Sequence, residues 1–145
     1  MSKVEDFLSK EEEQKIVEAI KMAELNTSGE IRVHIEASCK NDAFKRTLQV
    51  FDELKMFETQ QKNAVLIYIA VEDHQFVIYG DEGINKVVPN NFWDSTKNTM
   101  LSHFKKGNFK QGIVAGILKA GEELKVHFPW HTNDVDELSN EISKG

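Results

Sequence analysis

The stretch Asn63–Gly83, NAVLIYIAVEDHQFVIYGDEG, carries the strongest structural signal in the chain. Ala64 to Val71 is a nearly unbroken apolar run rich in β-branched and aromatic residues, which reads as a buried central strand rather than a helix. Glu72, Asp73 and His74 interrupt it, and Gln75 to Tyr79 supplies a second strand. A polar gap that short makes an antiparallel hairpin the simplest connection. Gly80, Asp81, Glu82 and Gly83 end the pair with two carboxylates between two glycines.

Working outward toward the N-terminus, Glu30 opens a segment in which Ile31, Val33 and Ile35 alternate with Arg32, His34 and Glu36. Period two marks a strand with one apolar face. His34 lies on the polar side and reads as a surface or helix-covered residue rather than a catalytic base. Between the two segments, Asn41 or Asp42 can cap a helix from Ala43 to about Phe57, with Phe44, Leu48, Phe51 and Leu54 or Lys55 at helical spacing. Strand, helix, strand implies a β-α-β unit with parallel strands. Further back, Met1–Leu8 reads as a lead-in. Ser9 with Glu12 three residues on forms a capping box, and Ile16, Val17, Ile20 and Ala23 form the stripe of a first helix ending near Asn26.

On the C-terminal side, Ile84–Val88 reads as an apolar connector or a small edge strand. Pro89 leads into a helix with Phe92, Trp93, Thr96, Met100 and Phe104 on one side, stopped by Gly107 as a left-handed cap. A last helix runs from about Phe109 to Val126, striped by Phe109, Ile113, Ile117 and Leu124, with Gly112, Gly116 and Gly121 allowing close packing. The predicted architecture is a three-layer α/β/α sandwich: a small mixed sheet with helices on both faces. One domain is expected over residues 1–130, followed by a polar tail over 131–145 that is mobile or a frayed helical turn.

The composition excludes several classes. With 145 residues, 40% hydrophobic and 29% charged, the chain is an ordinary globular domain. A net charge of −6 argues against a sequence-independent nucleic-acid binder. The single cysteine, Cys39, rules out an intrachain disulfide and a multi-cysteine zinc site. No apolar run reaches the length of a membrane span, and the N-terminal residues are too acidic for a signal peptide, so a cytoplasmic monomer is expected. Phosphate-binding glycine loops, a nucleophile elbow, a zincin helix and an EF-hand loop are missing from the sequence.

What remains follows from strand order. If the first two strands are parallel and the third returns beside the second, Glu30, Asn63 and Asp81 reach one edge of the sheet. Glu82 and Asp94 could add oxygen ligands. Ser38, Asn41, Asp42, Glu72 and Asp73, at the opposite edge, read as turn and cap residues. Oxygen ligands without a soft partner favour Ca²⁺ or Mg²⁺.

The segments TSGEIRVHIE (Thr27–Glu36), TQQKNAVLIYIA (Thr59–Ala70), YGDEGI (Tyr79–Ile84), Phe92–Trp93, FKKGNFKQGI (Phe104–Ile113) and HFP (His127–Pro129), in that order and spacing, resemble the TPM domain family. The resemblance spans about residues 9–130. It implies the same sandwich fold and a divalent-cation site, usually for calcium, in an acidic pocket at one sheet edge. Glu30, Asn63 and Asp81 match the family's acid, Asn and Asp at those places. It also implies acid-phosphatase activity for some members. Asn85 and Asn90 stand where many exported members carry further acids, which removes charge from the pocket. Lys62 and Lys86 are the nearest cations and read as solvated. The expected function is therefore Ca²⁺ binding, with Mg²⁺ weaker, in a binding or regulatory role that includes an unidentified protein partner. The rival expectations are a metal-assisted phosphatase in the same pocket and an interaction domain with no ion site.

Overall fold

The computed structural model of the chain describes residues 7–130 and 138–145. Its centre is β2 (Ala64–Ala70), in which all seven residues are buried. Each fully buried aliphatic side chain there contributes about 1.5–3 kcal/mol. β3 (Gln75–Gly80) pairs antiparallel with β2, so the predicted hairpin forms, with His74 at φ 52° in its turn. β1 (Glu30–Glu36) pairs parallel on the other side of β2, from Glu30 opposite Ala64 to Glu36 opposite Ala70. β4 (Ser143–Lys144) completes a four-stranded sheet of order β3-β2-β1-β4.

Helices cover both faces, as the sandwich requires. One face presents Ile31, Val33, Ile35, Val65, Ile67, Ile69 and Ile78. Three helices pack there: α1 (Lys10–Glu24) through Ile16, Ile20 and Ala23, α4 (Asp94–Phe104) through Met100, and α5 (Phe109–His127) through Ile113, Ile117 and Leu124. The capping box of Ser9 and Glu12 starts α1. Gly107, at φ 78°, follows α4 as the left-handed cap. The glycines of α5 are needed for contact: a Cβ on Gly121 would stand 2.8 Å from the Ala23 Cβ, and one on Gly116 2.5 Å from the Met100 Sδ. The opposite face presents Ala64, Leu66, Tyr68 and Ala70 to Val50 and Phe51 of α2 (Ala43–Glu53), with Met56 and Cys39 alongside.

Four expectations are corrected. α2 stops at Glu53; Lys55 turns left-handed at φ 54° and Met56–Glu58 is a separate 3-10 turn, so the helix is shorter than its apolar spacing suggested. Its buried positions are Thr47, Val50 and Phe51, while Phe44 is exposed at the rim with its ring edge-on to Tyr79. Ile84–Val88 is not an edge strand, because α3 (Glu82–Asn85) forms instead, capped by the Asp81 side chain. Phe7 and Leu8 belong to the core: Leu8 is buried and the Phe7 ring packs on Phe109.

The fourth correction concerns the C-terminus. Residues 131–137 of the expected tail lie outside the described residues, but 138–145 run along the free side of β1 and end paired with it. The reason lies in the polar face of β1. His34 and Glu36 are buried, at 4% and 5% exposure, and need partners. The Arg46 guanidinium donates to Glu36 from Nε at 2.8 Å and from Nη2 at 2.9 Å, and the Tyr68 hydroxyl also donates to Glu36. His34 Nε2 bonds to Glu36 Oε1 at 2.9 Å and its Nδ1 to the Ser143 hydroxyl at 2.9 Å. This arrangement matches a neutral ring that donates from Nε2 and accepts at Nδ1. Among the described residues no helix is long and apolar enough to cross a membrane.

Candidate functional site

The sheet end at which β1 and β2 begin and β3 finishes carries the predicted acids. Glu30 stands opposite Ala64. Asp81, just past β3, continues the antiparallel register opposite Ala64 and donates its N–H to the Ala64 carbonyl at 2.9 Å. Residues opposite one another across a ladder share a face. Glu30 and Asp81 therefore flank the small Ala64 side chain on the α2 face, their backbones about 10 Å apart across two strand spacings. Asn63 precedes β2, and its carbonyl accepts the Glu30 N–H at 3.3 Å.

All three are buried, at 4% exposure for Glu30, 1% for Asn63 and 6% for Asp81. The bonding of Asp81 and Asn63 is incomplete. Asp81 Oδ1 accepts the Glu82 N–H at 2.7 Å, but Oδ2 has no hydrogen-bond partner among the described residues. Asn63 Nδ2 reaches Ser28 Oγ at 3.4 Å, while its Oδ1 likewise has none. Glu30 Oε1 accepts the Leu138 N–H at 2.7 Å. Burial pushes the Asp81 carboxyl above its ordinary value, and the neighbouring Glu82 charge adds to this; the Glu82 N–H and Lys62 pull the other way.

Backbone contact holds the Asp81 turn against the approach to β2. Gly83 donates its N–H to the Lys62 carbonyl at 2.8 Å. A Cβ at Gly83 would stand 2.1 Å from the Gln61 carbonyl oxygen and 2.5 Å from that of Lys62. The second glycine of GDEG is thus a requirement of close approach, and it ties Asp81 to the segment carrying Asn63.

Glu82 and Asp94 are less closely tied to this site. Both are exposed; Glu82 follows Asp81 directly, and Asp94 opens α4. Asn85 turns back to the same corner, its Nδ2 donating to the Gly80 carbonyl at 3.1 Å; both Asn85 and Asn90 are exposed. Among the described residues no group of three His, Cys, Asp or Glu side chains is placed to hold a metal ion. A cation here would rely on amide and carbonyl oxygens as well as acids. The opposite edge behaves as expected of turns: Asp42 caps α2, and Asp73 accepts from Ser38 Oγ and the Cys39 N–H.

Arg32 is a further polar residue of this face that its sequence position does not mark out. It lies two residues along β1 from Glu30, hence on the same face and about 7 Å away along the strand. It is half-buried, its Nε has no partner among the described residues, and burial lowers its pKa. An arginine on the polar side of the alternation was visible; that it would be covered was not.

The family model described as the TPM domain matches residues 1–123. The chain belongs to the TPM domain family. Among solved structures, this TPM domain is similar to the NMR structure of the BA42 protein from the psychrophilic bacterium Bizionia argentinensis, at 59% identity, with 100% of each chain covered and a TM-score of 0.93. Two more distant NMR structures share the fold. The N-terminal domain of a Corynebacterium glutamicum protein is 14% identical, with 95% of this chain and 81% of that one covered and a TM-score of 0.63. The N-terminal domain of a P. gingivalis protein is 17% identical, with 88% and 83% covered and a TM-score of 0.67. No curated protein matches the chain.

Proposed function

We propose that this TPM domain binds a divalent cation, Ca²⁺ with Mg²⁺ weaker, at the sheet end formed by Glu30, Asn63 and Asp81, in a binding or regulatory role. The observation that carries this reading is the pair of buried oxygens without partners, Asp81 Oδ2 and Asn63 Oδ1. A buried polar atom without a hydrogen bond costs about 1–3 kcal/mol, and more if charged. A hard cation would satisfy both, and an all-oxygen donor set suits calcium or magnesium rather than zinc. Glu82 and Asp94 are supplementary ligands in this reading, reached through their own oxygens or through water. The role would be exercised on a protein partner.

The test is a Ca²⁺ titration of the ¹⁵N-labelled protein, with Mg²⁺ in parallel. The expected result is saturable amide shifts at 29–31, 62–64 and 80–83, reached at lower concentration for Ca²⁺. Shifts confined to the Glu72–His74 turn, or none that saturate, would overturn the reading.

Arg32 favours a second reading. Phosphoryl transfer needs positive charge to offset the oxyanions, and a half-buried guanidinium on the face of the acids supplies it. In that reading a bound cation would polarise the phosphoryl oxygen and Arg32 would hold a second oxygen. Phosphate release from a generic monoester at acidic pH, lost in Arg32→Met and in Glu30→Ala, would support the enzyme. No turnover across divalent ions would leave the binding module.

A further inference from the structure

We propose that Leu138 is a positioning residue for the cation site: its main-chain N–H holds the Glu30 carboxylate, so that docking of the C-terminal segment and cation binding favour each other. This inference rests on the cation reading above. Each acid of the site has a carboxylate oxygen fixed by a main-chain N–H. Asp81 has one carboxylate oxygen fixed by the adjacent Glu82 N–H at 2.7 Å. Glu30 has Oε1 fixed by the Leu138 N–H, also at 2.7 Å, from 108 residues further along the chain. A glutamate has more rotatable bonds than an aspartate, and an anchor on one oxygen removes freedom that a cation would otherwise have to freeze out. Hydrogen bonds from outside the ligand set that orient ligating carboxylates are worth about 10–100-fold in metal affinity.

Leu138 is itself held in place. Its side chain joins the α2-side core, and the following segment docks at separate points. Ser143 bonds His34 at 2.9 Å, the Gly145 N–H donates to the Ile35 carbonyl at 3.0 Å, and Lys144 Nζ lies 2.5 Å from Glu13 Oε1. The anchor on Glu30 thus belongs to a segment held on β1, α1 and the α2-side core at several points. Coupling between docking and binding is reciprocal: whatever factor docking adds to cation affinity, the cation adds to docking.

The test uses the full-length chain in three forms: wild type, Leu138→Pro, which removes the N–H donor, and Leu138→Ala, which keeps it while trimming the side chain. Ca²⁺ affinity is read from the amide shifts at 80–83, and hydrogen exchange at the Gly145 amide is measured with and without Ca²⁺. The expected result is affinity about tenfold or more weaker in Leu138→Pro, a clearly smaller loss in Leu138→Ala, which loosens the anchor but keeps the donor, and slower wild-type exchange at Gly145 when Ca²⁺ is bound. Unchanged or stronger binding in Leu138→Pro, with wild type binding normally, would overturn the positioning role and leave the site. Ca²⁺-independent exchange at Gly145 would overturn it too, without relying on any variant. Absence of saturable binding in wild type would overturn the cation reading and this inference with it.

Discussion

At Asp81 a carboxylate is 6% exposed, with one oxygen bonded and the other without a partner. Its raised pKa means that the charged form costs the folded chain stability at neutral pH. Asp81→Asn keeps an oxygen for the Glu82 N–H and removes that charge. The metal-free variant is therefore expected to melt at or above the wild-type temperature. Wild type, in Ca²⁺ at one hundred times its dissociation constant, should gain about 2.7 kcal/mol, and the variant should gain much less. Thermal denaturation in chelator and in Ca²⁺ checks both parts. An equal Ca²⁺ gain in the two proteins would remove Asp81 from the site. At this scale the sequence was legible where strand order alone decides position. Glu30, Asn63 and Asp81 follow from the register of three strands. Arg32 did not, because period two says which face a side chain takes and nothing about what covers that face. Glu82 and Asp94, read as acids that could add oxygen ligands, stand exposed.

Among the elements, the join between β3 and α3 decides how the site is held. Gly83 passes so close to the Gln61 and Lys62 carbonyls that a methyl group would force backbone to move. Gly83→Ala is expected to lower stability by about 1–3 kcal/mol, as overpacking does, and to shift the amides of 61–64 together with 80–82. Chemical denaturation and a single amide spectrum check this; an unchanged spectrum would show that the contact is loose. The same join explains one misreading. Ile84–Val88 has the composition of a strand, but Asp81 caps a turn of helix and Asn85 folds back on Gly80. Helix-starting side chains outweigh apolar content over so short a run. The hairpin and the α1 and α5 helices were readable because their periodicities run for several turns or pairs without conflict. The end of α2 was not, because its apolar spacing continues past Glu53 into residues that pack through a left-handed turn.

For the molecule as a whole, two buried groups set the response to acid in the same direction. Hydrogen bonds from Arg46, Tyr68 and His34 outweigh burial and hold Glu36 down at about 2, against an ordinary 4.5. Its contribution is present above pH 4.5 and is lost as pH falls toward 2. Burial lowers the His34 pKa below 6.5 despite the neighbouring Glu36, so the unfolded chain takes that proton first and stability begins to fall as pH drops through 6.5. Asp81 works in the opposite sense, since its protonation relieves the folded state. Urea denaturation from pH 7.5 to 3 should show a midpoint that declines from near 6.5 and more steeply below 4.5. Glu36→Gln should be about 1–3 kcal/mol less stable at neutral pH, as for a lost charge-assisted bond, with a flatter lower limb. A flat wild-type profile would show that the polar face of β1 is not under strain from burial. That face has another consequence, for contacts between chains. On the side of β1 away from β2, the Ile31 N–H is taken by Glu24 Oε2 at 2.9 Å and the Ile35 carbonyl by the Gly145 N–H. The two residues of β4, Gly145 and one glutamate therefore do the work of an edge guard. A chain that lost Ser143–Gly145 would offer β1 as a template for strand addition by a neighbour, and self-association, rather than unfolding, would be its first symptom.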